Sequence, residues 1–340
     1  MCSAPVPFPD TVKHPVRSVV ALTVAGSLLI AATWIRLPYY AEGPGPARDV
    51  LRLISFEGRD RHDSGGSLVY TTVRLQRMTA VGLLGAWIDP VRFVIPEDEV
   101  YPPGFDKEQE QIRSISQMDQ SKIDATYVVL SRLEGYPKER GEGALVESTA
   151  PACPADGELF PGDVILRIDG AEIRSRNAAS RAIDAAGAGE PLEFVVDVDG
   201  QREEARFTRE PCGPDDELLV GVVLLNAFPF EVTMASGDVG GPSAGLMWAL
   251  GLYELLEEGD LTAGRSIAGT GTIDLAGRVG PIGSIQEKVI GAERAGADLF
   301  LVPVDNMPEL RGVETGDMKL VPVATFDEAL EALGSDVPPA

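Results

Sequence analysis

The sequence predicts an α+β protein. Its bulk follows one N-terminal transmembrane helix and holds a small module inserted in, or appended to, a larger domain. Three observations carry that prediction. An uncharged apolar run, Ser18 to Ile35, lies near the N-terminus. Short β-branched segments bounded by Gly, Pro and Asp alternate with amphipathic helices through the middle of the chain. The last third alternates apolar strands with helices opened by glycine-rich turns.

The apolar run spans about 27 Å as a helix, close to the thickness of a hydrocarbon core. Lys13 and Arg17 precede it, Arg36 follows it, and Trp34, Tyr39 and Tyr40 suit the far interface. We read residues 1–17 as a cytoplasmic tail and 18–37 as a signal anchor, with the bulk of the chain outside the cytoplasm. A cleaved signal peptide and a buried core helix are the other readings. The length of the run and the absence of a small-x-small site before Trp34 favour the anchor. In that arrangement Cys2 is cytoplasmic, while Cys153 and Cys212 lie where disulfides persist. A bridge between them closes a loop of about 60 residues and contributes about 4 kcal/mol. The alternative is two unpaired thiols.

Composition narrows the function. Of 340 residues, 29 are Lys or Arg and 53 are Asp or Glu, a formal charge of −24. So acidic a chain is repelled by phosphate backbones, so no nucleic-acid partner is expected. The histidines are His14, in the tail, and His62, in the polar run Arg59–Asp63. That leaves no room for a Ser-His-Asp triad, a Cys-His dyad or a histidine-rich metal site. Lysine is scarce as well: Lys13, Lys107, Lys122, Lys138, Lys288 and Lys319. A basic group that moves protons has few candidates.

After a Pro/Gly-rich stretch, Pro38 to Pro46, Ser67–Arg74 reads as a strand and Thr79–Ile88 as a short apolar helix stopped by Asp89-Pro90. Lys107–Leu133 reads as a long helix with Ile112, Ile115, Met118, Ile123, Tyr127 and Leu130 on its apolar face. Residues 141–210 form a module with strands at Ala144–Glu147, Val164–Ile168, Leu192–Val198 and Glu204–Phe207, and a helix at Asn177–Ala186. Its run from Leu159 through Gly162-Asp163, Ile165 and Ile168-Asp169-Gly170 resembles a PDZ domain. The resemblance implies a peptide ligand, added as a strand in a groove beside the helix.

Residues 213–334 hold the chemistry. Leu218–Leu225 reads as a continuous apolar strand and Phe230–Ala235 as another. Gly240-Gly241-Pro242-Ser243-Ala244-Gly245 then opens the apolar helix Leu246–Glu258. A serine on a glycine-rich turn at a helix N-terminus has close backbone access and N–H groups suited to a developing oxyanion. A plain helix cap has the same look. No lysine follows the glycines, so this is not a phosphate loop. Downstream, Gly269–Ile273 starts a strand and turn, and Gly280–Ser284 leads into a helix at Ile285. On a helical wheel Ile285, Val289 and Ala292 share a face. Lys288 flanks that stripe, with Gln286 and Glu287 turned further out. A desolvated Lys288 would be a neutral amine able to take a proton from a hydroxyl. A solvated lysine with a snorkelling stem is the alternative.

Together, Gly241-Pro242-Ser243-Ala244-Gly245, Thr270-Gly271 and Pro281-Ile282-Gly283-x-Ile-x-Glu-Lys288 resemble the proteolytic domain of Lon proteases, whose fold is like ribosomal protein S5 domain 2. The nearest type within it is the membrane-anchored, PDZ-containing bacterial form. The resemblance implies Ser243 as nucleophile, Lys288 as general base and Thr270 as the hydroxyl that orients the lysine, with Gly240 and Gly241 in support. Ser284 stands where the family has a second glycine, Gln286 where a first lysine is commoner, and the acidic residue before Gly-Pro-Ser is missing, with Asp238 further upstream. Met118-x-x-Ser121-x-x-x-Ala125 resembles an early helix of that domain, so 48–136 reads as its first part, interrupted by the module; an unrelated N-terminal subdomain is the alternative. Residues 335–340 read as a flexible tail. The chain has no Walker A loop, so an ATP-independent endopeptidase without cofactor is expected, acting on unfolded polypeptides. A homo-oligomer fits the family. A silent PDZ scaffold is the alternative function.

Overall fold

A computed structural model describes residues 15–86, 93–101 and 106–334. The expected tails 1–14 and 335–340, with Cys2, His14 and the end of the expected helix at Ile88, lie outside the described residues. In chain order the first elements are α1 (Pro15–Trp34), β1 (Arg36–Asp49), β2 (Ile54–Phe56), β3 (Ser67–Thr79), α2 (Ala80–Ala86), β4 (Phe93–Pro96), α3 (Glu97–Val100) and α4 (Lys107–Leu133). The middle supplies β5 (Ala144–Thr149), β6 (Val164–Ile168), β7 (Ala171–Glu172), α5 (Arg176–Ala185), β8 (Pro191–Val198), β9 (Gln201–Thr208), β10 (Glu210–Cys212), β11 (Glu217–Leu219) and β12 (Val222–Asn226). The remainder is β13 (Val232–Met234), α6 (Gly245–Leu256), β14 (Ser266–Gly269), β15 (Thr272–Ile273), β16 (Val279–Gly280), α7 (Ile285–Arg294), β17 (Leu299–Pro303), β18 (Lys319–Val323) and α8 (Phe326–Leu333).

The described chain forms two compact units, one within Met1–Gly43 and Arg74–Phe105, the other within Pro44–Val73 and Asp106–Ala340. In the first unit β1 pairs antiparallel with β4, Tyr39 opposite Pro96. Ala41, Met78 and Ala86 form its small core, and Arg77 pairs with Glu97 at 2.8 Å. The apolar run falls in α1, which is 20 residues long. Among the described residues no helix is long and apolar enough to cross a membrane, so they do not support the expected span at 18–37.

The second unit is built on a sheet in the order β18-β17-β14-β3-β1. β3, β14, β17 and β18 run parallel, so the architecture is mixed α/β rather than the expected α+β. The reason lies in the connections: α7 carries the chain from β14 back to β17, a crossover that a parallel pair requires. Both sheet faces are covered, and the strand residues alternate accordingly. Ile267, Leu299 and Leu301 face a core with α4, α6 and α8. Ala268, Phe300 and Val302 face α7 and its stripe of Ile285, Val289 and Ala292. Residues from Val50 to Tyr70 and from Met118 to Val129 share the first of these cores with Leu246–Leu255.

Three local expectations need correction. Pro38–Pro46 is not a loose exit; it lies in β1, held by partners on the sheet despite its poor strand propensity. Ile112 and Ile115 on α4 are exposed, because only its later turns, from Met118 to Leu130, are embedded. The expected strand Leu218–Leu225 breaks into β11 and β12 around Gly221. There φ is +86°, and an added Cβ would lie 2.1 Å from that of Cys153.

The middle segment has its own core, gathering Ala144, Val146, Ile165, Ile168, Leu192, Phe194 and Phe207. Its sheet runs β12-β5-β6-β8-β9, so it extends beyond residue 210 to take in β12. The two ends of the segment are joined: Gly141 N donates to Ala227 O at 3.0 Å, and the Tyr136 hydroxyl to Asn226 O at 2.7 Å. Cys153 and Cys212 are disulfide-bonded across a sequence separation of 59. Replacing both by serine should cost about 4 kcal/mol, read as a lower urea midpoint of the non-reduced protein. An unchanged midpoint would show that the bridge does not constrain the unfolded chain.

Candidate active site

The site forms where β14 ends. Gly269 has no room for a side chain, since an added Cβ would lie 2.6 Å from Met247 Sδ. Thr270 follows, 1% exposed. Its hydroxyl donates to Ser243 O at 2.8 Å, and Gly271 N donates to the same carbonyl at 2.8 Å. Leu246 N returns a bond to Gly271 O at 3.1 Å. The serine loop is thereby clamped to the carboxyl end of a parallel strand, the end where open α/β sheets bind ligands.

The other side of the loop rests on α4. Gly241 N donates to Ser114 O at 2.8 Å, and Ser121 Oγ donates to Pro242 O at 3.0 Å. Gly240 is required by closeness: an added Cβ would lie 2.2 Å from Ser114 Oγ. Gly241 is required by conformation, with φ +84°.

Lys288 comes from α7 and is 4% exposed. Its Nζ lies 2.6 Å from Ser243 Oγ and 3.3 Å from Thr270 Oγ1. Since the Thr270 hydrogen is committed to Ser243 O, its lone pairs are left to hold the lysine. The start of α7 is fixed by Asn306, which accepts from Ile282 N and donates to Ile282 O, each at 2.9 Å. Ser284 caps the helix at φ +57°, the left-handed region, which explains why glycine suits that position.

Ser243, Thr270, Lys288, Gly240 and Gly241 thus converge, whereas Asp238 is exposed and bonds neither Ser243 nor Lys288. The disulfide belongs to the middle segment. Sequence reasoning missed Ser114 and Asn306, and named Ser121 only within the Met118-x-x-Ser121 pattern, with no role at the site. It also turned Glu287 outward, yet Glu287 is buried. The wheel failed because α7 has two covered sides: Gly291, one turn on, lies against Pro44 and Gly45. Among the described residues no cluster of His, Cys, Asp and Glu is arranged to hold a metal ion.

Beyond Ser121 on α4 lies an acidic group. Gln120 donates to Glu147 of β5 at 2.7 Å. Asp124 is buried, and its Oδ1 has no hydrogen-bond partner. Burial first, then the charges of Glu147 and Asp274, push its carboxyl up to about 8.

Residues 231–334 match the Lon protease (S16) C-terminal proteolytic domain. The chain is 40% identical over 102 residues to a Lon protease of Methanosphaera stadtmanae, covering 29% of this chain and 12% of that protein. It is 34% identical over 121 residues to a Lon protease of Syntrophomonas wolfei, covering 34% of this chain and 15% of that protein. The chain therefore spans only a small part of the length of these Lon proteases. A PDZ domain of the SdrC-like protein from Listeria innocua is 24% identical, covering 24% of this chain and 93% of that one, with a TM-score of 0.23.

Proposed function

We propose that this chain is an ATP-independent serine endopeptidase with a Ser243–Lys288 dyad. The observation that carries the reading is a buried lysine amine 2.6 Å from a serine hydroxyl at a helix N-terminus. Burial disfavours an ammonium, so Lys288 is suited to act as a base. The amine takes the Ser243 proton as Oγ attacks the peptide carbonyl. Lys288 then returns that proton to the leaving amine as the C–N bond breaks, leaving an ester on Oγ. Water, giving its proton to Lys288, hydrolyses the ester and restores the serine. Neither the Ser243 nor the Ala244 N–H donates to any group among the described residues. Both are therefore available to an oxyanion. No GxxxxGK[ST] loop is present in this chain, which supports independence from ATP.

The middle segment, on this reading, is a PDZ-type module that takes an extended peptide along β12. Among the described residues β12 is the last strand of its sheet, so one of its backbone edges has no strand partner there. Val222 and Leu224, with Ala178 and Ala182 of α5, are only partly buried there. Anchoring and action outside the cytoplasm rest on the uncharged run Ser18–Ile35 and on the apolar side chains that α1 exposes, Leu22 and Trp34 among them.

A fluorophosphonate probe tests the reading directly. The full-length chain should be labelled at Ser243, and the Ser243→Ala chain should not. A wild-type chain that takes no label, or a mutant that labels equally, would leave only the scaffold reading.

A further inference from the structure

We propose that Ser121 is a positioning residue that aims the Ser243 N–H at the oxyanion. The inference rests on Ser243 being the nucleophile. In a trans peptide the carbonyl of one residue and the N–H of the next point in opposite directions. Pro242 C=O and Ser243 N–H form one such unit. Ser121 Oγ holds the carbonyl at 3.0 Å and Gly245 N holds it more loosely at 3.3 Å, so the shorter restraint on the direction of the N–H comes from α4. Pro242 has no N–H, which makes the Ser243 N–H the first one in the loop after Gly241 that an oxyanion can use. The Gly241 N–H is already spent on Ser114 O.

The flanking peptide units are fixed as well. Ser114 O holds the Gly240–Gly241 unit through its N–H, and Thr270 Oγ1 with Gly271 N holds the Ser243–Ala244 unit through the Ser243 carbonyl. Ser121 supplies the middle restraint, through a side chain that is 2% exposed. Its hydroxyl is wedged in place: a Cβ on Gly245 would lie 2.7 Å from Ser121 Oγ and 2.8 Å from Ile273 Cγ2. Without the hydroxyl, the Pro242 carbonyl keeps only the longer bond from Gly245 N, at 3.3 Å, and the Pro242–Ser243 peptide can tilt about its flanking bonds. Its N–H then departs from the line to the oxyanion, while Ser243 Oγ and Lys288 keep their own restraints. A misplacement of about 1 Å in such a donor costs up to about 100-fold in rate.

The test compares wild type with Ser121→Ala in the full-length chain, counting active sites by fluorophosphonate titration. Per titrated site, kcat on a fluorogenic peptide should fall ~10- to 100-fold with KM within about twofold. The Ki of a peptide boronate, which forms a tetrahedral adduct with an oxygen in the oxyanion position, should rise by the same factor. A purely structural role would lower the number of titrated sites and leave the boronate Ki unchanged, overturning the proposal. Should alanine leave no titratable sites, Ser121→Cys decides, since its thiol is a weaker donor of nearly the same shape. Wild-type kcat and Ki in that variant would overturn the assignment too. A wild-type chain that neither titrates nor cleaves refutes the nucleophile reading itself, and this inference with it.

Discussion

Ser243→Ala and Lys288→Ala should each remove peptidase activity by on the order of 10⁴-fold or more. The two groups act as one unit, so the double mutant should be no worse than either single mutant. Lys288→Arg should be as inactive as Lys288→Ala, because a guanidinium stays protonated and cannot accept the serine proton. Lys288→Met keeps the stem and drops the amine. With Nζ buried, that variant should fold and still lack activity, which separates chemistry from stability. The measurement is cleavage of labelled casein by the full-length chain. Wild-type kcat/KM in any of these variants would end the dyad assignment.

Asp124→Asn should stabilise the protein, increasingly so as pH rises. The carboxyl has an ordinary value of 3.8 and stands at about 8 in the folded chain. Between those values the unfolded chain releases a proton that the folded chain keeps, so the folded state loses ground with rising pH. The loss is about 1.4 kcal/mol per pH unit and amounts to about 4 kcal/mol at pH 7. Below the unfolded value both states are protonated and the penalty is absent; above the folded value it stops growing. Asparagine does not titrate, so the difference between variant and wild type isolates this one group. Urea midpoints at a series of pH values should diverge from about pH 4 to about pH 8 and run parallel above. A constant difference across that range would show that Asp124 ionises normally.

Much of the fold was legible where one local signal was strong. Lys107–Leu133 matches α4 end to end because Asp106 caps it and the amphipathic period persists. β1 was illegible, since Pro38, Pro44 and Pro46 argue against a strand and only the neighbouring strands overrule them. The break at Gly221 was hidden because it is imposed by Cys153, far away in sequence. At the site, Ser243, Thr270 and Lys288 could be named because each sits in a short motif with its own backbone demands. The parts played by Ser114 and Ser121 could not be read, since they come from carbonyl and N–H groups of a loop more than a hundred residues later.

The joined ends of the middle segment bear on how the chain acquires its fold. An unstructured insertion of about 90 residues would raise the entropic cost of closing the core by about 3 kcal/mol over a short turn. Gly141 and Ala227 are instead hydrogen-bonded to each other, so a folded module presents the core with little more than a hairpin. The long-range pairings of β3 with β14 and of α4 with α6 then close over a short effective distance. Module first and larger core second is the folding order that this connection favours, and the Ser243 loop, held from both sides by the late-forming core, is among the last parts to be assembled.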